Sequence, residues 1–424
     1  MKLLFEYVDI RDIQFGGPTR VENGTLFIDK EELTAQILQD PNIASVDIDI
    51  ARPGESTRIV NIVDCIEPRA KMSNNANWPG VLSGFDETPG TGVTRALKGM
   101  SIMICEPNYA WKGMIGNLDM GGPGAQWSPY SKLCNLSIAP YAHGKVDRHE
   151  FANVIRKACY GAGVYLAKSA KKVDRTELLD NETLTPGLPN IAYYYQMYST
   201  QHDYDGIAEP VYYGFQLPDT LPLVIQPQEV VDGTIAWGCA FHMMEAYSVQ
   251  NHPIIFELMR RHGKDLNFVG MMVGVTSMDG SRRHLAAMMI GNTMKEVFHA
   301  DGVILTKTMG GAPHVCEGVA ASECEKRGIK TVPFIQLLNL DSNLSTEVLF
   351  DDPKLNAIVQ TGALFEPIMM PAVERVIGGD GDKPMACSTR QAGPTAKGPI
   401  VNASNNIVGC INHVGYSNTI AVDY

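Results

Sequence analysis

Hydrophobic and polar positions alternate along the first part of the chain. Residues 46–50 switch between apolar and acidic side chains at every position, which is typical of a half-buried strand. Residues 24–28 and 58–63 are also strand-like, and residues 30–40 have helical spacing. This pattern predicts that residues 1–72 form a β-rich α+β module.

A longer stretch of mixed character follows, and we assign residues 73–230 to an α/β domain with long loops. Residues 73–130 are rich in Gly, Pro, Asn and Ser, a composition typical of loops, which often carry functional sites. Between residues 147 and 171 the apolar positions recur at about 3.6-residue spacing, which predicts a helix. Residues 191–197 are predicted to form a strand.

Strands and helices alternate in the second half of the chain. The predicted strands are 266–275, 302–306, 331–337 and 357–360, and the predicted helices are 281–299 with Ser281 as N-cap, 315–327 and 351–355. This order predicts a doubly wound parallel sheet, Rossmann-like over residues 251–378, with ligands at the carboxyl ends of its strands. Neither a dinucleotide fingerprint nor a P-loop is present. Residues 379–424 are predicted to be an irregular extension.

The composition excludes several classes of function. The 424-residue chain has a formal net charge of −12, whereas nucleic acids and anionic membranes are bound by clustered Lys and Arg, so we expect neither as a partner. The N-terminus lacks the apolar core of a signal peptide, and no apolar run of about 18 residues is present. Nine cysteines at irregular spacing favour reduced thiols over a disulfide framework, so we expect a cytoplasmic protein.

Residues 231–250 form a junction between the two halves, and they contain a cysteine directly after a glycine. Glycine tolerates positive φ, so a turn at Gly238 would let the Cys239 thiol attack a substrate or the carbonyl carbon of Gly238. His242 lies three residues beyond and could deprotonate the thiol. The alternative is that Cys239 is a small buried side chain, with His242 and Glu245 as polar residues at a helix start.

A second candidate site lies in the glycine-rich loop that follows the predicted strand 302–306. Pro313 suits the start of a helix, and a helix N-terminus attracts anions and lowers the pKa of a nearby thiol. His314 and Cys316 are therefore candidates for binding a substrate, with Cys316 in the first helical turn. Cys316 and Cys324 do not have the spacing of a zinc pair, and we expect no metal site.

Charged residues cluster near the end of the N-terminal module. They are Arg52, Glu55, Arg58, Asp64, Glu67 and Arg69. Arginines at a strand end can hold a substrate carboxylate through two hydrogen bonds, which makes Arg52 and Arg58 candidates for substrate binding. The alternative is that this cluster is a structural network of ion pairs.

Several stretches are collinear with the pattern of one protein family over about residues 1–378. They are residues 12–16, 21–26, 51–59, 64–69, 231–235, 251–255, 261–270, 301–304 and 372–378. Together they resemble the alpha/beta proprotein of component B of glycine, sarcosine and betaine reductases.

This resemblance implies a role in anaerobic amino-acid reduction. Proteins of this family are cut at an internal cysteine, here Cys239, which becomes a pyruvoyl group at the new amino terminus. The thiol attacks the preceding carbonyl, the thioester eliminates, and the resulting dehydroalanine hydrolyses to a ketone. The ketone engages the amine of the substrate, and a selenocysteine on a separate partner subunit displaces that amine.

We therefore expect a pyruvoyl cofactor, a small amino acid or amine as the substrate, a partner subunit that carries a selenol or thiol, and an oligomeric assembly. Two alternatives remain open. In one, the chain is not cut, and Cys239 stays a thiol that binds the substrate or lines a pocket. In the other, the chain is a non-catalytic scaffold subunit that positions the selenoprotein.

Overall fold

The structure is a computed structural model of a mixed α/β protein. It describes residues 1–72, 77–78, 81–82, 89–107, 116–144, 148–199, 210–217, 219–236, 244–337, 352–363, 366–383, 395–411, 413–415 and 420–422. All structural statements below concern these residues.

Strands make up most of the regular structure in the described part of the chain. In chain order they are β1 (Lys2–Asp9), β2 (Asp12–Phe15), β3 (Arg20–Glu22), β4 (Thr25–Ile28), β5 (Ile43–Ala51), β6 (Thr57–Ile66), β7 (Arg69–Lys71), β8 (Gly92–Lys98), β9 (Met100–Cys105), β10 (Gly116–Asp119), β11 (Cys134–Ala142), β12 (Arg175–Asp180), β13 (Asn190–Met197), β14 (Val211–Tyr212), β15 (Phe215–Gln216), β16 (Leu223–Ile225), β17 (Ile235–Ala236), β18 (Asn267–Val275), β19 (Gly302–Lys307), β20 (Lys330–Leu337), β21 (Ile358–Ala363), β22 (Pro367–Met370), β23 (Arg375–Ile377), β24 (Ile400–Ala403) and β25 (Ile420–Val422).

The helices are fewer and mostly short. They are α1 (Lys30–Ile37), α2 (Gly122–Ala125), α3 (Arg148–Ser169), α4 (Pro227–Glu229), α5 (Ala246–Gln250), α6 (Pro253–Arg261), α7 (Gly280–Asn292) and α8 (Ala312–Lys326). Single π-helical turns at Val230–Thr234 and Thr293–Val297 extend α4 and α7, and 3-10 turns lie at Pro129–Lys132 and Ser404–Asn406.

Two sheets and one long helix build the N-terminal part. The first sheet has the order β12-β1-β8-β7, and the second has the order β10-β6-β9-β11-β5 with β23 beside β6. Helix α3 packs against strands of both sheets, and its apolar side chains join theirs in one core. Trp78 stacks on Tyr160 of this helix with ring centroids 4.3 Å apart. The strands predicted at residues 46–50 and 58–63 lie within β5 and β6.

A seven-stranded sheet dominates the second half, in the order β16-β18-β13-β19-β20-β21-β25. The five inner strands are parallel, and the edge strands β16 and β25 are antiparallel to their neighbours. Alternate residues of β13 point into different cores: Tyr193 and Tyr195 pack with α6, whereas Ala192 and Tyr194 pack with α7 and α8. Both faces are therefore covered, which explains why these strands are apolar at nearly every position.

The start of α7 differs from the prediction. Ser281 is not the N-cap, because the helix begins one residue earlier, at Gly280. The side chain of Asp279 caps it instead, accepting a hydrogen bond from the main-chain N–H of Arg282 at 2.7 Å. The α-helix ends at Asn292 rather than at residue 299, and the π-helical turn continues from there.

Three further segments also differ from their predictions. Helix α8 begins at Ala312 rather than at Val315, since Pro313 fits a first-turn position that needs no N–H group. Residues 352–355 form only a turn, so the short helix predicted over residues 351–355 was wrong for them. Residues 379–424 are not irregular throughout, because β24 pairs with β22 and β25 pairs with β21.

The seven-stranded sheet takes strands from both sides of the junction. β13 and β16 precede residue 231, whereas β18 to β21 and β25 follow residue 250. β13 lies inside the sheet, between β18 and β19. In return, β23 pairs with β6 of the N-terminal part. The predicted domain boundaries on either side of residues 231–250 therefore do not divide the chain into parts with separate sheets. Among the described residues, no helix is both long and apolar enough to cross a membrane.

A chain cut within the junction should consequently stay in one piece. Separation would break the main-chain hydrogen bonds on both edges of β13 and expose both apolar faces of the sheet. We expect protein cut between Gly238 and Cys239, by itself or at an introduced protease site, to keep the native mass of uncut protein. Native and denaturing mass spectrometry check this, with two fragments expected only after denaturation. Fragments that separate under native conditions would contradict the interlocked topology.

Candidate active site

The predicted catalytic residues lie in a short segment outside the described part of the chain. Gly238, Cys239 and His242 all fall within residues 237–243. The residues on either side are described, and nearly all of them are buried. The geometry described below is therefore that of the residues on either side of the segment. We call residues 230–236 the incoming flank and residues 244–252 the outgoing flank.

A buried ion pair holds the incoming flank. Lys71 Nζ donates to Asp232 Oδ2 at 2.5 Å, and the two side chains are almost completely buried. Asp232 also accepts hydrogen bonds from Thr94 Oγ1 at 2.5 Å and from the N–H of Gly90 at 2.7 Å. Because both carboxylate oxygens have partners, the turn around Asp232 is fixed in place.

A strained turn follows at Gly233, which has a φ of 112°. Residues with a Cβ rarely adopt this conformation, and a Cβ here would lie 3.1 Å from Nε1 of Trp78. The indole N–H of Trp78 donates to the carbonyl oxygen of Gly233 at 3.0 Å. The turn directs the chain from α4 into β17, which ends at Ala236, immediately before the candidate residues.

Two buried carboxyl groups hold the outgoing flank. Glu245 precedes α5 and accepts hydrogen bonds from the N–H of Gly409 at 2.8 Å and the hydroxyl of Tyr130 at 3.1 Å. Asp64, in β6, accepts a hydrogen bond at Oδ1 from the N–H of Ala246 at 2.9 Å. The chain that leaves the junction is thus fixed to the second N-terminal sheet.

Burial raises the pKa of both carboxyl groups. The pKa of Asp64 is raised to about 8 and that of Glu245 to about 7, mainly because desolvation disfavours the charged form. Asp64 Oδ2 is buried and has no hydrogen-bond partner in the part of the chain that the structure describes. Two acids that titrate near neutral pH therefore lie where the chain leaves the junction, and they could exchange protons there.

One guanidinium group connects the two flanks. Arg69 donates to the carbonyl oxygen of Val231, before the junction segment, and to that of Gln250 at 3.0 Å, after it. Its Nε and Nη2 also donate to Glu67 Oε1, at 2.9 and 2.7 Å. Gln250 in turn pairs its side-chain amide with the main chain of Glu67. Four buried charged residues, Glu67, Arg69, Lys71 and Asp232, form the ion pairs beside the two flanks, and we call them the junction frame.

Arg58 lies away from the junction frame, and its donors are occupied by protein groups. Its guanidinium is fully buried and bonds both carboxylate oxygens of Asp119, at 2.6 and 2.9 Å. Its other N–H groups donate to the carbonyl oxygens of Pro371, Ala396 and Gly398. A substrate carboxylate could bind Arg58 only by breaking these bonds, so the contacts favour the structural alternative for this residue.

Arg52 is more exposed and makes fewer contacts. Its Nε donates to Asp12 Oδ1 at 2.7 Å and its Nη2 to the carbonyl oxygen of Ile13 at 2.5 Å, while Nη1 lies 3.5 Å from Glu55 Oε1. The predicted charge cluster is thus divided into separate ion pairs. Substrate binding by Arg52 stays a prediction.

The glycine-rich loop leads into α8. However, the expectation that the start of this helix lowers the pKa of the Cys316 thiol is wrong. Cys316 is the fifth residue of the helix, and its Sγ donates to the carbonyl oxygen of Ser277 at 3.4 Å. Burial raises the pKa of this thiol instead of lowering it. His314 Nδ1 accepts from the N–H of Gly311 at 3.2 Å, and its Nε2 lies 3.0 Å from the carbonyl oxygen of Gln336. Burial lowers the pKa of His314 to about 2, so the ring is neutral.

Sequence reasoning missed a group of buried polar side chains at the carboxyl end of the seven-stranded sheet. Both carboxyl oxygens of Glu317 and both side-chain polar atoms of Gln336 lack a hydrogen-bond partner among the described residues. Burial raises the pKa of Glu317 to about 8. Gln336, a polar residue within the mostly apolar strand 331–337, was the available signal. For the junction frame, the signal was that its residues lie in or beside stretches 64–69 and 231–235 of the family pattern.

The similarity to known proteins extends across the whole candidate site. Residues 1–422 match the family of glycine/sarcosine/betaine reductase component B subunits. The chain belongs to this family. The resemblance inferred from the sequence is therefore confirmed.

Individual relatives match at moderate identity over most of their length. The chain is 33% identical over 391 residues to glycine reductase complex component B subunits alpha and beta of Acetoanaerobium sticklandii, and the alignment covers 89% of each chain. It is 30% identical over 390 residues to the sarcosine reductase complex component B subunit alpha of Peptoclostridium acidaminophilum, again covering 89% of each. The betaine reductase complex component B subunit alpha of that organism is 28% identical, with 89% of this chain and 88% of the relative covered. No solved structure matches.

Replacing Arg69 should strongly destabilise the protein. Arg69→Met leaves two flank carbonyls without donors and removes a cation from buried Glu67, so we expect the free energy of unfolding to fall by about 3–5 kcal/mol. Urea denaturation followed by circular dichroism measures the change. Arg261→Met is the control, because Arg261 pairs with Asp265 on the surface, with both side chains about half exposed. A comparable loss in both variants would contradict a special role for the junction frame.

Replacing Asp64 should change how stability depends on pH. The pKa of this carboxyl is raised from its ordinary value of 3.8 to about 8 in the folded protein, so the folded state binds more protons between these values. Its contribution to stability therefore falls as the pH rises through this window. Asp64→Asn cannot ionise, so its melting temperature should fall less than that of the unmodified protein between pH 5 and about pH 8.

Thermal melts of both proteins across this range make the comparison. Adding Glu245→Gln should flatten the profile further, because the pKa of Glu245 is raised in the same direction. Asp265→Asn, at an ion pair whose side chains are about half exposed, should leave the profile nearly unchanged. An unaltered slope in Asp64→Asn would show that this carboxyl is already ionised at neutral pH.

Proposed function

We propose that the protein is the substrate-binding component of a glycine/sarcosine/betaine reductase-like complex. In this role it acts with a partner subunit that carries a selenol or thiol, and the reaction is the reductive cleavage of a C–N bond in a small amino acid or amine. The observation that carries the proposal is the family match over residues 1–422. The collinear alignments with component B subunits of three reductase complexes support it.

We place the processing site at the Gly238–Cys239 bond and assign the pyruvoyl group to Cys239. The flanks suit this chemistry because both are buried and tied to the same guanidinium, that of Arg69. Fixed ends reduce the conformational freedom of the segment between them, which lowers the entropic cost of bringing a thiol to the preceding carbonyl. The unpartnered oxygen of Asp64 places an acid with a raised pKa at the exit of this segment.

The chain's own residues would then bind the substrate and move protons. His242 is the proposed base for the thiol, and Asp64 and Glu245 are the proposed reservoirs of protons on the outgoing flank. Once formed, the pyruvoyl group supplies an electrophilic ketone for the substrate amine. Arg52 remains our candidate for the substrate carboxylate. His314 and Cys316 are bonded within the protein, and a role in substrate binding would require them to exchange those partners.

Intact mass and denaturing electrophoresis of purified protein test the processing step. We expect fragments of residues 1–238 and 239–424, roughly 26 and 20 kDa as shares of 46.3 kDa, and the second should react at its terminus with an aminooxy reagent. Cys239→Ala should give a single chain, because no thiol is available to attack. Cys324→Ala, which removes a buried cysteine of α8 in a different core, should be cut normally.

A single full-length chain from the unmodified gene would rule out the pyruvoyl group and leave two possibilities. If Cys239→Ala then abolishes turnover in the assembled complex, the protein is an uncut thiol enzyme. If turnover is unchanged, the protein is a scaffold subunit.

A further inference from the structure

A pocket of about 670 Å³ lies between the first N-terminal sheet and the seven-stranded sheet. One side is formed by strands β12, β1 and β8, and helix α6 forms another. Ile304 of β19, Phe334 of β20 and Val414 provide an apolar side. Pockets of this size at the contact between two sheets are typical of sites for small molecules.

Three neighbouring strands place two cations close to one aromatic ring in this pocket. Tyr7 lies opposite Arg175 of β12, and Lys98 of β8 lies beside Asp9, two residues farther along β1. The guanidinium carbon of Arg175 is 4.1 Å from the centroid of the Tyr7 ring, and Lys98 Nζ is 4.9 Å from it. These cations are therefore held at defined positions on one face of the sheet.

The cations of the pocket differ in how far they are already neutralised. Arg260 is paired with Glu177 at 2.8 Å, and Arg261 with Asp265 at 2.7 Å. Arg175 makes only a long contact with a carboxylate, 3.8 Å from its Nε to Asp9 Oδ1, among the described residues. Its N–H groups are therefore the ones best placed to receive a ligand anion.

Lys98 is the second cation that could contact a ligand. Its Nζ bonds Glu67 Oε2 at 2.7 Å and Asn251 Oδ1, which leaves the third ammonium hydrogen for another acceptor. Burial lowers the pKa of Lys98, so an additional anion nearby would stabilise its charged form. Among the described lining residues four are cations and two, Glu177 and Glu257, are carboxylates, and carboxylates outside the lining neutralise part of this excess. An ammonium group on the carbon next to a bound carboxylate would lie close to Arg175 and Lys98, which disfavours a ligand of that kind.

We propose that this pocket binds a small organic carboxylate that has an aliphatic body and no ammonium group. The carboxylate lies between Arg175 and Lys98 over Tyr7, and the aliphatic body packs against Ile304 and Phe334. The proposal does not rest on processing at Cys239, because the described lining residues all lie outside residues 231–250. Through Lys98, however, the pocket directly contacts Glu67 of the junction frame.

Isothermal titration calorimetry with 3-methylbutanoate tests the proposal, using the unmodified protein and Cys239→Ala. We expect saturable binding of equal affinity to both, so the result is independent of whether the chain is cut. Valine has the same carbon skeleton with an added ammonium group, and it should bind at least about tenfold more weakly.

Two variants locate the site. Arg175→Gln should weaken binding of 3-methylbutanoate by about tenfold or more, because it removes the least neutralised cation. Arg175 is half exposed, so the variant should fold, and its circular dichroism spectrum and melting curve check this. Arg261→Gln, on the same rim but paired with Asp265, should change the affinity by less than about twofold. Absence of saturable binding, equal affinity for valine, or unchanged affinity in folded Arg175→Gln would each overturn the proposal.

Discussion

The buried ion pair between Arg69 and Glu67 is the interaction on which the geometry of the junction depends. Taking two charges out of water costs several kcal/mol each, and a buried pair is tolerated only when its remaining donors and acceptors are bonded. The remaining donors of Arg69 bond the carbonyl oxygens of Val231 and Gln250. Arg69 keeps these main-chain bonds only when both flanks occupy their observed positions. Its effect is to select one path for the chain more than to add stability.

The topology and the junction frame have complementary effects on the same segment. Because β13 lies between two strands that follow the junction, the halves of the molecule do not depend on the junction for their association. The pairing of β13 with its two neighbours therefore does not require an intact bond within the junction. The junction frame meanwhile holds the incoming and outgoing flanks at fixed positions through Arg69, whether or not the bond between Gly238 and Cys239 is intact.

The sequence predicts the inner strands of the large sheet well, since strands covered on both faces are apolar throughout. It predicts local choices less well: Asp279 and Ser281 can both cap a helix, and it is Asp279 that caps α7. Hydrogen-bond partners that are distant in the chain are harder still to predict from the sequence. The charged cluster is evident from residues 52–69, but Arg69 bonds Val231, 162 positions away. Burial likewise reverses the predicted shift in the pKa of Cys316, and no local pattern encodes it.

The charges around the junction are divided between two physical roles. The junction frame contains two cations and two anions, which bond one another and the main chain. Among the described residues, Asp64 and Glu245 instead bond to N–H and O–H groups, and desolvation is the main cause of their raised pKa. Because the frame cations are already neutralised by their own partners, they do little to hold these two acids in the ionised form. The junction frame can therefore position the main chain, while Asp64 and Glu245 can exchange protons at the same site.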